Sequence, residues 1–231
     1  MMWIDFSVPA EFEEVPLGMD FDAACAEVNA RSAYGSSRAG TDEQPLTEMA
    51  RALQRISRFL GDSGVVYAAN CLHSFEGEVS LGSLAVSVVA YPYGADAATA
   101  ARGSLRGVLA SRGEGWTGAV FDAPCGKAAV FSGGQSYVLP QAFSPTGEQV
   151  EVLTAQFHAM IPVPSASGDG RHMCLMAFST PQITHWERCY APIMASVLRS
   201  LRFTEDDQPD AGTEIIPFAE SANAAEQSAG A

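Results

Sequence analysis

Lysine is almost missing from this 231-residue chain, with Lys127 the single one. Altogether 13 bases stand against 27 acids, for a formal charge of −14. Binding nucleic acid requires a basic face that displaces counterions from phosphates, and this composition provides no such face. No apolar run approaches the ~18 residues that cross a bilayer as a helix; the longest candidate, LAVSVVAYPY, is short and alternates. The N-terminal MMWIDFSVPAEFEEVP has neither the basic region nor the apolar stretch of a secretory signal. A cytoplasmic protein without a membrane span is the expectation.

Paired cysteines are equally scarce. Cys25, Cys71, Cys125, Cys174 and Cys189 are odd in number, widely spaced and without a CxxC. They read as buried free thiols in a reducing compartment. No serine stands in a G-x-S-x-G elbow, and there is no H-E-x-x-H, Walker sequence or Gly-rich turn inside a βαβ repeat. No cofactor is expected.

What the chain does have is clean periodicity. WIDFSVPAEFEEVPL reads as an edge strand broken by Pro9 and Pro16, and MDFDAACAEVNARSA as a short helix capped by Asp20. In PLTEMARALQRISRFLGDSG, Pro45 suits a first helical position, and Leu46, Met49, Leu53, Ile56 and Leu60 make one apolar stripe, expected to face the core. The period then falls to 2 in VVYAANCLHSFEGEVSLGSLAVSVVAYPY, which predicts a hairpin. ADAATAARGSLRGVLASRGEG predicts a third helix, with Asp96 as cap and Gly113 beyond its end. AVFDAP, KAAVFSG and QSYVLPQAF follow as short strands, so that FSGGQS, like SGDGRH, reads as a hairpin turn rather than a phosphate cradle. VEVLTAQFHAMIPVP alternates plainly, and HMCLMAFST is apolar on both faces, as a central strand would be. A last helix starts with Thr180 as cap and Pro181, and carries Ile183, Trp186, Tyr190, Ile193, Val197 and Leu201 as its buried stripe. Helices before and after runs of hairpin-linked strands predict an α+β fold, an antiparallel sheet flanked by helices. Residues 1–203 form one domain on this reading. Residues 204–231, which hold seven of the acids and an apolar island EIIPF, form a disordered acidic tail.

Several residue groups could carry chemistry. His185 and Cys189 share a helix face at i and i+4, a spacing for two metal ligands that His172 and Cys174 could complete. On a straight helical wheel, however, both fall at the rim of the buried stripe, and a packing role is the plainer reading. Cys71 and His73 lie on one strand face and read as packing. Cys125, two residues from Lys127, is the best candidate for a reactive cysteine, because a nearby ammonium favours thiolate. EFEE lacks the spacing of a calcium loop and reads as a solvated run. Thr154, Gln156 and His158 take the polar face of the alternating strand and are the candidate partner-binding surface.

The stretch LMAFSTPQITHWERCYAPIMASVLRSLRF resembles the C-terminal strand and helix of PsbP-like domains, including actinobacterial proteins and lipoproteins of the LpqN kind. The shared features are an apolar strand entering a Ser-Thr-Pro step, a helix with Trp and Tyr anchors, and an SLRF return, over residues 150–203. The resemblance implies an antiparallel sheet with helices on its faces and a non-enzymatic role in binding or assembling other proteins. It brings no catalytic residues, and the chain lacks the signal peptide and lipid-attachment cysteine of the lipoprotein members. The expected function is therefore a cytoplasmic protein-binding or adaptor domain, accessory to a secretion or assembly system. One alternative is an immunity or inhibitor protein that steers onto a basic partner. The other is a thiol- or metal-dependent enzyme built on Cys125 or on His185 and Cys189.

Overall fold

The alternation of VEVLTAQFHAMIP forms strand β7 (Val150–Pro162), which lies inside the main sheet of the computed structural model. Residues 2–35, 43–75, 77–94, 96–139, 148–164, 171–204 and 214–218 are described. In chain order the elements are β1 (Met2–Phe6), β2 (Phe12–Glu14), α1 (Phe21–Gly35), α2 (Glu43–Asp62), β3 (Val65–Phe75), β4 (Glu78–Ala90), α3 (Ala97–Arg112), β5 (Trp116–Ala123), β6 (Gly126–Leu139), β7, β8 (His172–Thr180), α4 (Ala191–Ser200), β9 (Arg202–Thr204) and β10 (Glu214–Phe218). Seven strands pair antiparallel in the order β2-β3-β4-β8-β7-β6-β5, and β10-β1-β9 form a second small sheet. The architecture is α+β, as the grouping of elements predicts.

Each strand of the main sheet divides its residues between two faces. One face holds the principal core: Leu84, Val86, Phe157, Ala159, Ile161, Met176 and Phe178 pack with Ile4, Phe6, Tyr190, Met194, Val197 and Leu201. On the other face α2 lies against β3, and α3 against β5, β6 and β7.

The last helix departs from the expected geometry. Instead of starting at Thr180, the chain makes a 3-10 turn over Ile183–His185 and a π turn over Trp186–Tyr190 before α4. The Thr180 hydroxyl accepts from the Gln182 amide at 3.1 Å and donates to the Leu81 carbonyl, while Gln182 Oε1 accepts from the Leu81 amide at 2.9 Å. These bonds continue the β4–β8 pairing beyond Ser83↔Ser179 and delay the helix. Tighter and then wider turns rotate the side chains away from a straight wheel. His185 and Cys189 are consequently buried rather than at the rim, Ile183 is exposed, and Trp186 and Ile193 are half-buried. Tyr190, with no exposed surface, packs on Phe178 at 4.8 Å between ring centroids. Gly82 allows this approach, since a Cβ there would lie 2.5 Å from the Phe178 ring.

Three further expectations change. β6 runs unbroken through FSGGQS, which is neither turn nor cradle. The indole of Trp116 occupies the space a side chain at Gly133 would need, 2.5 Å from a Cβ. Of the stretch read as an edge strand, β2 is the edge of the main sheet, but β1 is the middle strand of its own, because β9 and β10 flank it. EIIPF is β10, paired with β1 from Met2↔Phe218 to Phe6↔Glu214. The rest of the tail after Thr204, and the GDG of SGDGRH, lie outside the described residues.

Tyr190→Ala should cost roughly 3–5 kcal/mol of stability, the range for deleting a buried aromatic. Trp186→Ala should cost less, about 2 kcal/mol, because its ring is only partly removed from water. Urea denaturation of the two variants checks the order.

Candidate functional site

Helix α2 is amphipathic, but only part of its apolar stripe enters its buried contact, where Leu46 and Leu53 pack half-buried beside Ala50. Ala50 packs with Ala24 and Val28 of α1. The Ser57 hydroxyl accepts from the Met19 amide at 2.8 Å and donates to the Pro16 carbonyl at 2.7 Å. Ala50 and Ser57 lie about 100° around the helix from Met49 and Ile56. Docking on this side keeps Leu46, Leu53 and Leu60 of the stripe half-buried but leaves Met49 56% and Ile56 54% exposed. Leu53, Ile56 and Leu60 then form one wall of a cavity of about 460 Å³.

The floor is the sheet between α2 and α3. Asn70, Ser83, Ser179 and Gln156 lie in one row across β3, β4, β8 and β7. Ala68, Ala85, Ala177 and His158 form the next row. Side chains this small cannot fill the gap between two helices, and the space stays open.

The far wall is polar and ordered. Gln156 donates from Nε2 to the Tyr137 hydroxyl, and its Oε1 lies 3.2 Å from His158 Nε2. A carbonyl oxygen only accepts, so that ring nitrogen carries the proton. His158 stacks on Phe131, its partner across β6, at 5.3 Å and 16°, and sits 5.7 Å from Trp116. Burial, and secondarily the Arg112 charge, push its pKa down to about 4, so it is neutral at physiological pH. The Thr154 hydroxyl donates to the Gln135 carbonyl at 3.0 Å. Arg112, the last residue of α3, donates to Gln135 Oε1 and stacks 4.9 Å from the Trp116 ring centroid.

Gln156 and His158 thus line the cavity, with Thr154 bonded beside them, but Gln156 is buried rather than part of an open wet face. Sequence reasoning missed Arg112 and Tyr137. Neither has a local signal, since a helix-terminal arginine reads as a dipole partner and a strand tyrosine as packing. The two rows of small residues were a legible clue that this sheet face would be left unfilled.

The other candidates lie away from this cavity. Cys125 is buried in the tight turn between β5 and β6, and burial raises its pKa. Lys127 pairs with Asp122 across that hairpin, so its charge is engaged by a carboxylate. His185 Nδ1 lies 2.9 Å from Ser80 Oγ, which lies 2.7 Å from the Tyr190 hydroxyl, and His185 Nε2 is 3.4 Å from Glu78 Oε2. In this Ser-His-Glu order Ser80 has no exposed surface, whereas the Glu78 side chain is 76% exposed. It ties the helical segment to β4. Burial raises the thiols of Cys71, Cys174 and Cys189, and the side chain of His73 lies outside the described residues. Among the described residues no three His, Cys, Asp or Glu side chains converge as metal ligands, and no helix is long and apolar enough to cross a membrane.

Two outcomes are expected. His158 is depressed from 6.5 to about 4, so its contribution to stability is complete above pH ~6.5 and is lost as pH falls toward ~4. Urea midpoints measured across that window should drop more in the wild type than in His158→Gln. Iodoacetamide should modify half-buried Cys25 before buried Cys125 or Cys174, read by peptide mass spectrometry of the native protein.

No protein-family model matches the chain, and no curated protein matches it. Among solved structures it is similar to "Crystal structure of LpqN involved in cell envelope biogenesis of Mycobacterium tuberculosis", at 13% identity and a TM-score of 0.42, over 88% of this chain and 84% of that one.

Proposed function

We propose that the chain is a non-enzymatic binding protein, an adaptor or accessory component, that seats an apolar segment of a protein partner in the cleft between α2 and α3. The observation that carries this reading is the α2 stripe. Met49 and Ile56 are more than half exposed on a helix that already docks through Ala50 and Ser57. An apolar surface left over after the helix has packed marks an interaction site, and anchors at i and i+7 suit a segment laid along a groove. A non-catalytic role is supported by the closed Ser80–His185 contact and by thiols that burial makes less acidic. A cytoplasmic, reducing setting is supported by the five free thiols.

Ile56→Asp and Met49→Asp should remove the proteins that co-purify with the wild type from its host. Both should leave stability within about 1 kcal/mol, because the replaced side chains are exposed. Arg51→Ala, on the opposite side of α2, should leave capture intact. An unchanged set of co-purifying proteins in both aspartate variants would refute the cleft as the docking site.

A further inference from the structure

In a chain of net charge −14, the cleft contains no carboxylate among its lining residues and one permanent cation, Arg112. The local structure holds that cation in place. Asp96 caps the start of α3, accepting from the Ala98 and Thr99 amides at 3.0 and 3.1 Å. Gly113, at φ 78°, ends the helix directly after Arg112. The guanidinium lies over Trp116, whose own ring is seated on Gly133. Its partner is Gln135, a neutral amide that satisfies a donor without neutralising the charge. Among the described residues Arg112 meets no carboxylate, whereas Arg31 and Arg102 each do.

A second donor faces the same space. The Tyr137 hydroxyl accepts from Gln156, which leaves its own O–H to donate, and the residue is 47% exposed. Arg112 and Tyr137 stand on the polar wall, opposite Leu53, Ile56 and Leu60. One wall is apolar and the other offers donors with a single positive charge. The complementary occupant has an apolar body and one anionic group.

We propose that Arg112 and Tyr137 form a carboxylate receptor, which reads one acidic group on the apolar partner segment that the α2 stripe binds. This rests on the cleft being the docking site. A guanidinium presents several N–H groups to an anion, and a charge-assisted bond at a partly desolvated wall is stronger than a neutral one.

Fluorescence titration of the full chain with 1-pyrenebutyric acid and 1-pyrenebutanol tests it. The two probes share an apolar body and differ in the carboxylate, standing in for the partner segment. The acid should bind roughly tenfold more tightly than the alcohol. Arg112→Gln should bring the two within about twofold, Tyr137→Phe should narrow the gap, and Ile56→Asp should weaken both probes together. In the wild type alone, raising NaCl from about 0.05 to about 0.5 M should weaken the acid and spare the alcohol; this measurement requires no variant to fold. Equal affinities for acid and alcohol, or a preference that survives Arg112→Gln, would overturn the receptor and leave the docking cleft standing. Failure of both probes to bind would overturn both.

Discussion

The buried phenol of Tyr190 is the contact on which the rest of the arrangement depends. Its ring lies on Phe178 over Gly82, and its hydroxyl is 2.7 Å from Ser80, which also holds His185. This one residue ties the C-terminal helical segment to β4 and β8 near the middle of the sheet. A buried hydroxyl without a partner costs about 1–3 kcal/mol, and here the oxygens of Tyr190, Ser80 and His185's ring nitrogen satisfy one another. The irregular turns before α4 are the geometric consequence, because a regular helix from Thr180 would not bring both His185 and Tyr190 to Ser80.

With one sheet face sealed by that contact, the other is free to remain open. Asn70, Ser83, Ser179, Ala68, Ala85 and Ala177 occupy its centre, where larger residues would otherwise fill the gap between helices. The helices reach the sheet on either side of these rows, α2 over β3 and α3 over β5 to β7. Small residues thus act twice. At Ala50 and Ser57 they let α2 dock on its side, and on the floor they leave the cavity that the exposed stripe overlooks.

The charge distribution follows the same division. The lining of the cleft holds no acid, and the histidine there is neutral because it is buried among aromatic rings beside Arg112. Ser80, His185 and the thiols of Cys71, Cys125, Cys174 and Cys189 are buried, whereas the Glu78 carboxylate that His185 meets is exposed.

Local periodicity by itself determined the kind of the long central elements and the α+β class, but not β10, the unbroken course of β6 or the turns before α4. The period of 2 in β7, the apolar run of β8, and the stripes of α2 and α4 depend on neighbours in sequence, and the α+β grouping followed from them. The scarcity of lysine and the low count of basic residues likewise argued against nucleic acid without any coordinates. Only the tertiary structure decided which side of α2 is buried, because that depends on how Ala50 and Ser57 meet α1 and the Pro16–Met19 loop. It decided that Gly133 continues a strand, because the Trp116 ring that fills the space comes from another strand. It also decided that Arg112, Tyr137 and His158 meet in one cleft. Contacts between residues far apart in sequence leave no periodic trace, since they are set by how strands register and helices cross.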